Sequence, residues 1–209
     1  TPAKSNNFAA IAVHDPPVDF ETLVKEEMVY QGFPAFLFYP TAHYSRIFMG
    51  VNITEQNEKI IIYGKGLNSL KKPTKEIYLG NSGTSARLLT GLLSSQSFNS
   101  KLIGDKSLSS RPMKRISDPL RKMNAEIYDN NGKLPLEIRG KKLLSTSIDI
   151  KIPSAQIKSG IILAALNTSG TSEIIENYVS RDHTEIMLQS FEADIDILKN
   201  NSKKIIKIN

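Results

Sequence analysis

Apolar residues from about Phe48 onward follow two alternating periods along the chain. Short runs rich in β-branched and aromatic residues predict strands at 59–64, 76–80, 100–104, 125–129, 134–140, 147–152, 171–177 and 203–208. Between them, apolar residues spaced three and four apart predict helices over 84–95, 112–123, 155–167 and 183–192. Strands that alternate with helices in this way indicate a mixed α/β fold.

The sequence also predicts which face of the first helix is buried and where the second helix is interrupted. Leu88, Leu89, Leu92 and Leu93 share one face of the first helix, which indicates a buried helix. Pro119 interrupts the 112–123 pattern and leaves two alternatives open: a kinked helix, or a second helix that starts there with Asp118 as its cap.

The first 48 residues have a different composition from the rest of the chain. They hold nine of the fifteen aromatic residues and five of the ten prolines. Spacing of Leu23, Val24 and Met28 predicts one helix over 20–33, and the aromatic cluster at 33–40 predicts extended or turn structure. We therefore expect residues 1–47 to be a segment that is either unrelated to residues 48–209 or diverged from their fold.

Composition excludes several kinds of chemistry. The chain has no cysteine, so disulfides, thiolate metal sites and cysteine nucleophiles are excluded. No apolar run approaches the roughly 20 residues that span a bilayer, and no signal segment opens the sequence. These patterns favour a protein that is not exported.

The net charge of +6 is unevenly distributed. Residues 1–50 carry three Lys/Arg and five Asp/Glu, a local charge of −2, so the remaining residues carry +8. The basic residues are dispersed, and no aromatic stacking platform accompanies them, which argues against nucleic-acid binding. A basic pocket for a small polyanion explains the same charge.

Four polar loops lead directly into apolar helical stretches. A helix N-terminus leaves backbone N–H groups without an internal partner and carries roughly half a positive charge, so it favours anions. Each loop alone has an ordinary interpretation as a helix cap or start, but all four carry a basic residue. The loops are GNSGTSARLLTGLL (80–93), GDKSLSSRPMKRI (104–116), PSAQIKSGIILAAL (153–166) and SRDHTEIMLQSF (180–191).

In their order and spacing, these four motifs resemble the 5-enolpyruvylshikimate-3-phosphate synthase (3-phosphoshikimate 1-carboxyvinyltransferase) family, and the Ser-Ala-Gln and Arg-Asp-His-Thr-Glu signatures resemble its bacterial variety. The resemblance covers residues 48–209. It implies a cytoplasmic enzyme of aromatic amino-acid biosynthesis that needs no cofactor. The implied fold is an inside-out α/β barrel of β–α–β–α–β–β units with the helices packed inside, of which this chain would form one incomplete domain.

The resemblance also implies which residues bind the two anionic substrates. Ser154, Ala155, Gln156 and Arg181 would contact shikimate 3-phosphate. Asn81, Gly83, Thr84 and Arg111 would line the phosphoenolpyruvate pocket, with the Arg111 guanidinium binding carboxylate or phosphate oxygens.

Other residues of the four motifs have two open interpretations. Lys106, Arg87 and Lys158 either add positive potential to the cleft or are solvated surface cations. We expect Asp182, His183 and Glu185 to be structural, because an acidic residue in the first turn suits the helix dipole.

Two departures from the family limit what the chain is expected to do. The family's Lys-Ser-x-Ser-x-Arg-type segment has only a faint echo at Lys4-Ser5. The family enzyme is also about twice this length, and its other domain supplies the acid/base carboxylates and lysines that the reaction needs. We expect one wall of the substrate site here, no turnover by the chain alone, and possibly a complementary second domain as partner.

Two other functions stay open at this point. One is a non-catalytic fragment that binds shikimate 3-phosphate, or a decayed or fused gene product. The other is an enolpyruvyl transferase acting on a nucleotide sugar, which the absence of cysteine disfavours because a reactive cysteine is characteristic of that branch. No nucleic-acid or membrane partner is expected.

Overall fold

The computed structural model describes residues 11–13, 30–31, 36–38, 49–50, 52–56, 59–63, 69–199 and 203–209. The chain divides into two compact units, Thr1–Thr74 and Lys75–Asn209. Within the described residues, no helix is long and apolar enough to cross a membrane.

The described residues of the first unit form two small sheets. Strands β1 (Ile11–Val13) and β3 (Phe36–Phe38) pair in parallel. Strands β4 (Asn52–Gln56) and β5 (Lys59–Tyr63) form an antiparallel hairpin, and β2 (Tyr30–Gln31) joins β5 in parallel.

The second unit is built from two copies of one topology. Its first sheet has the order β6-β7-β9-β8 and its second the order β10-β11-β13-β12. In both, the first two strands are parallel and the other pairings are antiparallel. The strands are β6 (Ile77–Tyr78), β7 (Asn99–Ile103), β8 (Glu126–Asn130), β9 (Lys133–Arg139), β10 (Ser147–Ile150), β11 (Ser172–Glu176), β12 (Ile195–Lys199) and β13 (Lys204–Ile208).

The helices lie between these strands in the order that a β–α–β–α–β–β repeat requires. They are α1 (Gly83–Ser94), α2 (Lys106–Ser110), α3 (Lys114–Lys122), α4 (Ala155–Ala165) and α5 (His183–Ser190). Helices α1 and α4 are buried along nearly their whole length. The expected fold, with helices on the inside, is confirmed for this unit.

Alternation along the strands explains why the sheets lie outside the helices. Every second residue of β9 is buried, from Leu134 to Leu136 and Ile138, while the residues between them are exposed. One face of each sheet therefore packs on the helices and the other meets solvent. The predicted apolar face of α1, Leu88, Leu89, Leu92 and Leu93, is buried as expected.

Glycine allows α1 and α4 to pack unusually close together. A Cβ atom placed on Gly91 of α1 would lie 1.8 Å from the carbonyl oxygen of Gly160 on α4. A Cβ on Gly160 would in turn lie 2.7 Å from the carbonyl oxygen of Arg87. This crossing brings the first turns of two predicted substrate-binding helices into one region.

Most predicted elements are confirmed, two elements were missed, one of the two alternatives for Pro119 is excluded, and one predicted helix is wrong in part. Strand β12 and the short helix α2 were not predicted. Pro119 lies inside α3, and Asp118 pairs with Arg121 at 2.9 Å within that helix, so no new helix starts there. The helix expected over 20–33 is wrong at Tyr30–Gln31, which is a strand, and its other residues lie outside the described ones.

Candidate substrate site

The polar entry of α1 is fixed by local hydrogen bonds. Ser82 caps the helix, because its Oγ accepts a hydrogen bond from the Ser85 backbone N–H at 3.2 Å. Just before it, the Asn81 side-chain oxygen accepts a short hydrogen bond from the Arg111 guanidinium. Two predicted phosphoenolpyruvate residues, thirty positions apart, are thus in direct contact.

Gly83 lies beneath two guanidinium groups. A Cβ on this first residue of α1 would lie 2.8 Å from Nη1 of Arg87 and 3.1 Å from Nη1 of Arg111. Only a glycine lets both guanidiniums approach the backbone here in the observed positions. The absence of a side chain at this position therefore has a structural reason.

Arg87 and Gln156 connect α1 to α4. Arg87 Nη1 donates to the Gly83 carbonyl at 3.0 Å and to Gln156 Oε1 at 2.8 Å. Gln156 Nε2 donates to Thr84 Oγ1 at 2.7 Å. The Gln156 amide is held at both ends by α1, so a predicted shikimate 3-phosphate residue directly contacts a predicted phosphoenolpyruvate residue.

Three arginines place positive charge around this contact. The pKa of Arg87 is lowered, first by burial and then by the charges of Arg111 and Arg115. Arginine keeps its charge at neutral pH even so. Guanidiniums gathered in one region create a potential that an anion would neutralise.

The start of α4 has the geometry of an anion-binding helix terminus. Ser154 is its N-cap, with Oγ accepting from the Ile157 backbone N–H at 3.4 Å. Ala155 and Gln156 follow as the first two helical residues, and all three are partly exposed. This partial exposure leaves the start of α4 open to a ligand.

Arg181 lies in the loop that leads from β11 to α5, and it is exposed. Its backbone carbonyl accepts a hydrogen bond from Lys158 Nζ at 2.8 Å. Lys158 is on α4, one turn after Ser154, so this contact holds the Arg181 loop against the helix that carries the Ser-Ala-Gln motif.

The suggestion that Lys158 adds positive potential to the cleft or is a surface cation is wrong. Its side chain is fully buried and pairs with Glu176 at 3.1 Å and Glu185 at 2.8 Å. The structural role expected for Glu185 is confirmed, since this carboxylate is buried in the first turn of α5 and also pairs with Lys204. Lys106 is exposed at the first residue of α2.

Comparisons with known proteins identify relatives of this chain. A sequence model described as EPSP synthase (3-phosphoshikimate 1-carboxyvinyltransferase) matches residues 41–209. The chain belongs to the EPSP synthase family. A 3-phosphoshikimate 1-carboxyvinyltransferase from Ruthia magnifica subsp. Calyptogena magnifica is 51% identical over 153 residues, which are 73% of this chain and 35% of that protein. One from Magnetococcus marinus is 51% identical over 150 residues, 70% of this chain and 34% of that protein.

Solved structures of the EPSP synthase family have the same fold. An EPSP synthase from Acinetobacter baumannii superimposes with a TM-score of 0.75 at 35% identity, covering 98% of this chain and 48% of that one. The enolpyruvyl transferase NikO from Streptomyces tendae, at 15% identity and a TM-score of 0.52, shares the fold. The chain spans about a third of the length of the curated relatives it matches.

One arginine of the charge cluster was missed from the sequence. Arg115 is an exposed residue of α3, four positions after Arg111, and acts on Arg87 through its charge. In the sequence MKRI, Arg115 cannot be told apart from an ordinary surface cation. Only the packing of α3 near α1 shows that it belongs to the arginine cluster.

No group of three or more His, Cys, Asp or Glu in the described part of the chain could hold a metal ion.

Gly83→Ala is expected to leave the fold intact and displace both guanidiniums. The new Cβ meets only the flexible ends of Arg87 and Arg111, so the free energy of unfolding should fall by no more than about 1 kcal/mol. Side-chain Nε–Hε resonances of Arg87 and Arg111, measured by NMR, should shift. Unchanged resonances would show that neither guanidinium lies in contact with the Gly83 backbone.

Proposed function

We propose that this chain supplies one wall of an enolpyruvyl-transfer site. The reaction moves the enolpyruvyl group of phosphoenolpyruvate to the 5-hydroxyl of shikimate 3-phosphate and releases phosphate. The observation that carries the proposal is the hydrogen-bonded chain Arg87–Gln156–Thr84, because it joins the residues expected for the two substrates. A transfer between two substrates requires their sites to adjoin.

The shikimate 3-phosphate side is assigned to the start of α4 and the loop before α5. A phosphate at the α4 N-terminus would accept hydrogen bonds from the backbone N–H groups of Ala155 and Gln156 and from the Ser154 hydroxyl. The long 3.4 Å capping bond of Ser154 loses little when the hydroxyl turns to the phosphate. Arg181 would add a charged, bidentate contact.

The phosphoenolpyruvate side is assigned to the start of α1 and to Arg111. Asn81 accepts a hydrogen bond from the Arg111 guanidinium and so orients its plane, whose N–H edge suits a carboxylate or phosphate. Gly83 and Thr84 bring α1 backbone N–H groups to the same place. In this arrangement Arg87 and Arg115 stabilise the combined negative charge of both ligands.

Catalytic acid/base groups are expected from the part of the relatives that this chain does not match. The chain covers 35% of a relative's length, and by family resemblance the remaining part carries the carboxylates and lysines that move protons. Binding without turnover is therefore the behaviour proposed for these 209 residues, in the cytoplasm.

We also propose that residues 48–209 are the transferase part and that residues 1–47 are a separate segment. In each repeat of the second unit, the last strand of the hairpin pairs antiparallel with an earlier strand. Strand β5 instead pairs in parallel with β2. This difference supports a diverged N-terminal segment, since the Acinetobacter baumannii EPSP synthase still superimposes on 98% of the chain.

A chimera tests the transferase assignment against a non-catalytic binding module. Residues 75–209 would replace the matching residues of the Acinetobacter baumannii EPSP synthase, and phosphate release would be measured with both substrates. We expect turnover, and its loss in the same chimera carrying Arg111→Ala. A folded chimera that binds shikimate 3-phosphate but releases no phosphate would overturn the transferase assignment in favour of the binding module.

A further inference from the structure

Four charged side chains form a buried ionic network behind the proposed shikimate 3-phosphate site. Lys158, Glu176, Glu185 and Lys204 are each at most 1% exposed. Two lysines and two glutamates balance in charge. Burying ions costs free energy that pairing only partly offsets. The network therefore does not by itself indicate a stabilising role, and the contacts of its members with the neighbouring loop indicate a second role.

The ammonium group of Lys158 contacts three oxygen atoms. Glu176 Oε2 lies at 3.1 Å, Glu185 Oε1 at 2.8 Å and the backbone carbonyl oxygen of Arg181 at 2.8 Å. Its N–H groups donate hydrogen bonds to Glu176 and to the Arg181 carbonyl, and Glu185 adds an ion pair. One of the three belongs to the backbone of a residue assigned to substrate binding.

Glu176 fixes the neighbouring residue of the same loop. Its Oε1 accepts hydrogen bonds from the Ser180 backbone N–H at 3.3 Å and from the Ser180 hydroxyl at 2.6 Å. Two consecutive loop residues, Ser180 and Arg181, are thus held by two buried charges. Charge-assisted hydrogen bonds of this kind are stronger than neutral ones.

The network also fixes this loop relative to the Ser-Ala-Gln motif. The Lys158 backbone N–H donates to the Ser154 carbonyl at 3.0 Å, in the first turn of α4. One residue thus binds Ser154 through its backbone and Arg181 through its side chain. The Ser159 and Thr184 hydroxyls, 2.6 Å apart, add a second contact between α4 and α5.

We propose that Lys158, supported by Glu176, is a positioning residue for shikimate 3-phosphate. It sets the distance between the α4 N-terminus and the Arg181 guanidinium, so that both reach the same phosphate. This inference rests on the proposed function for its substrate, while the positioning itself is a property of the free chain. A positioning role explains why Lys158 is buried although it lies one helical turn after the partly exposed Ser154.

Lys204 provides a matched control. It is buried to the same degree and pairs with Glu185 at 2.6 Å and with Asp182 at 3.8 Å. Among the contacts that the structure describes for Lys204, none reaches the Arg181 carbonyl. Lys158→Met and Lys204→Met therefore each remove one cation from the same network, and only the first removes the contact to Arg181.

The test compares the two variants in binding and in the NMR spectrum of the loop. With Lys158→Met we expect shikimate 3-phosphate affinity to fall at least about tenfold, and the Arg181 carbonyl ¹³C and Ser180 amide resonances to shift. With Lys204→Met we expect an affinity within about twofold of the parent chain and nearly unchanged resonances at these two atoms. Equal effects of the two variants on affinity and on the loop would overturn the positioning role.

Substitute variants and a second readout cover the two cases in which the first comparison cannot be made. If either single variant fails to fold, the charge-balanced pairs Lys158→Met/Glu185→Gln and Lys204→Met/Glu185→Gln replace them. Both pairs carry the same glutamate change, so only the first is expected to weaken affinity and shift the two loop resonances. If the parent chain does not bind shikimate 3-phosphate, the proposed function fails, and the Arg181 and Ser180 resonances still decide whether Lys158 positions the loop.

Discussion

Replacing Gly91 by alanine is expected to lower the free energy of unfolding by about 3 kcal/mol or more, the upper end for overpacked cores. The added Cβ would lie 1.8 Å from the Gly160 carbonyl oxygen and 2.6 Å from its carbon. Both are backbone atoms of a buried helix, so neither moves without displacing α4. Because α1 and α4 carry the two proposed binding motifs, any surviving fold should also have a disturbed site.

Urea unfolding followed by circular dichroism measures this effect, and Gly83→Ala in the same helix is the matched control. At Gly83 the new Cβ meets only guanidinium ends, which have room to move. We therefore expect a far larger shift of the unfolding midpoint for Gly91→Ala than for Gly83→Ala. Similar midpoints for the two variants would contradict the close crossing of α1 and α4.

Arg181→Ala should weaken shikimate 3-phosphate binding at least tenfold, corresponding to about 1.5–3 kcal/mol for a hydrogen-bonded charge pair. Arg181 is exposed, and its loop is held against α4 beside the proposed phosphate position. His183 is the first residue of α5 and is expected to be structural, so His183→Ala should leave most of the affinity.

Isothermal titration calorimetry compares these variants under the same conditions. Arg139→Ala is the control for general loss of positive charge, because Arg139 is exposed on β9 and pairs with Glu126 at 2.9 Å. Its affinity should match that of the parent chain. Equal losses from Arg181→Ala and His183→Ala would mean that His183 takes part in binding.

The repeat architecture could be predicted from local patterns because each element carries its own signal. Alternation in β9 and helical spacing in α1 are visible within one segment. Strand β12 was missed because it pairs along one side only and just one of its residues, Ile195, is buried. The apolar–polar alternation ADIDI at 193–197 is short and directly follows the helix predicted over 183–192, which hides it.

The environment of the candidate site residues depends on contacts between distant parts of the chain. Lys158 follows a helix start in sequence and looked like a solvated or cleft-facing cation, yet Glu176 and Glu185 make it a buried ion. Arg87 meets Gln156 across 69 positions, a contact that no local pattern indicates. The motifs could locate the site, but the packing of α1 on α4 decides which cations face a ligand.

A titration of the isotopically labelled 209-residue chain with shikimate 3-phosphate, followed by amide NMR, tests the central claim most directly. We predict shifts concentrated at Ser154, Ala155, Gln156 and Arg181, with the Asn130–Gly132 turn of the β8–β9 hairpin unaffected. Shikimate without the phosphate should produce much smaller shifts at Ser154. Saturating binding with shifts elsewhere, or no binding at millimolar ligand, would contradict the assignment of this wall to shikimate 3-phosphate.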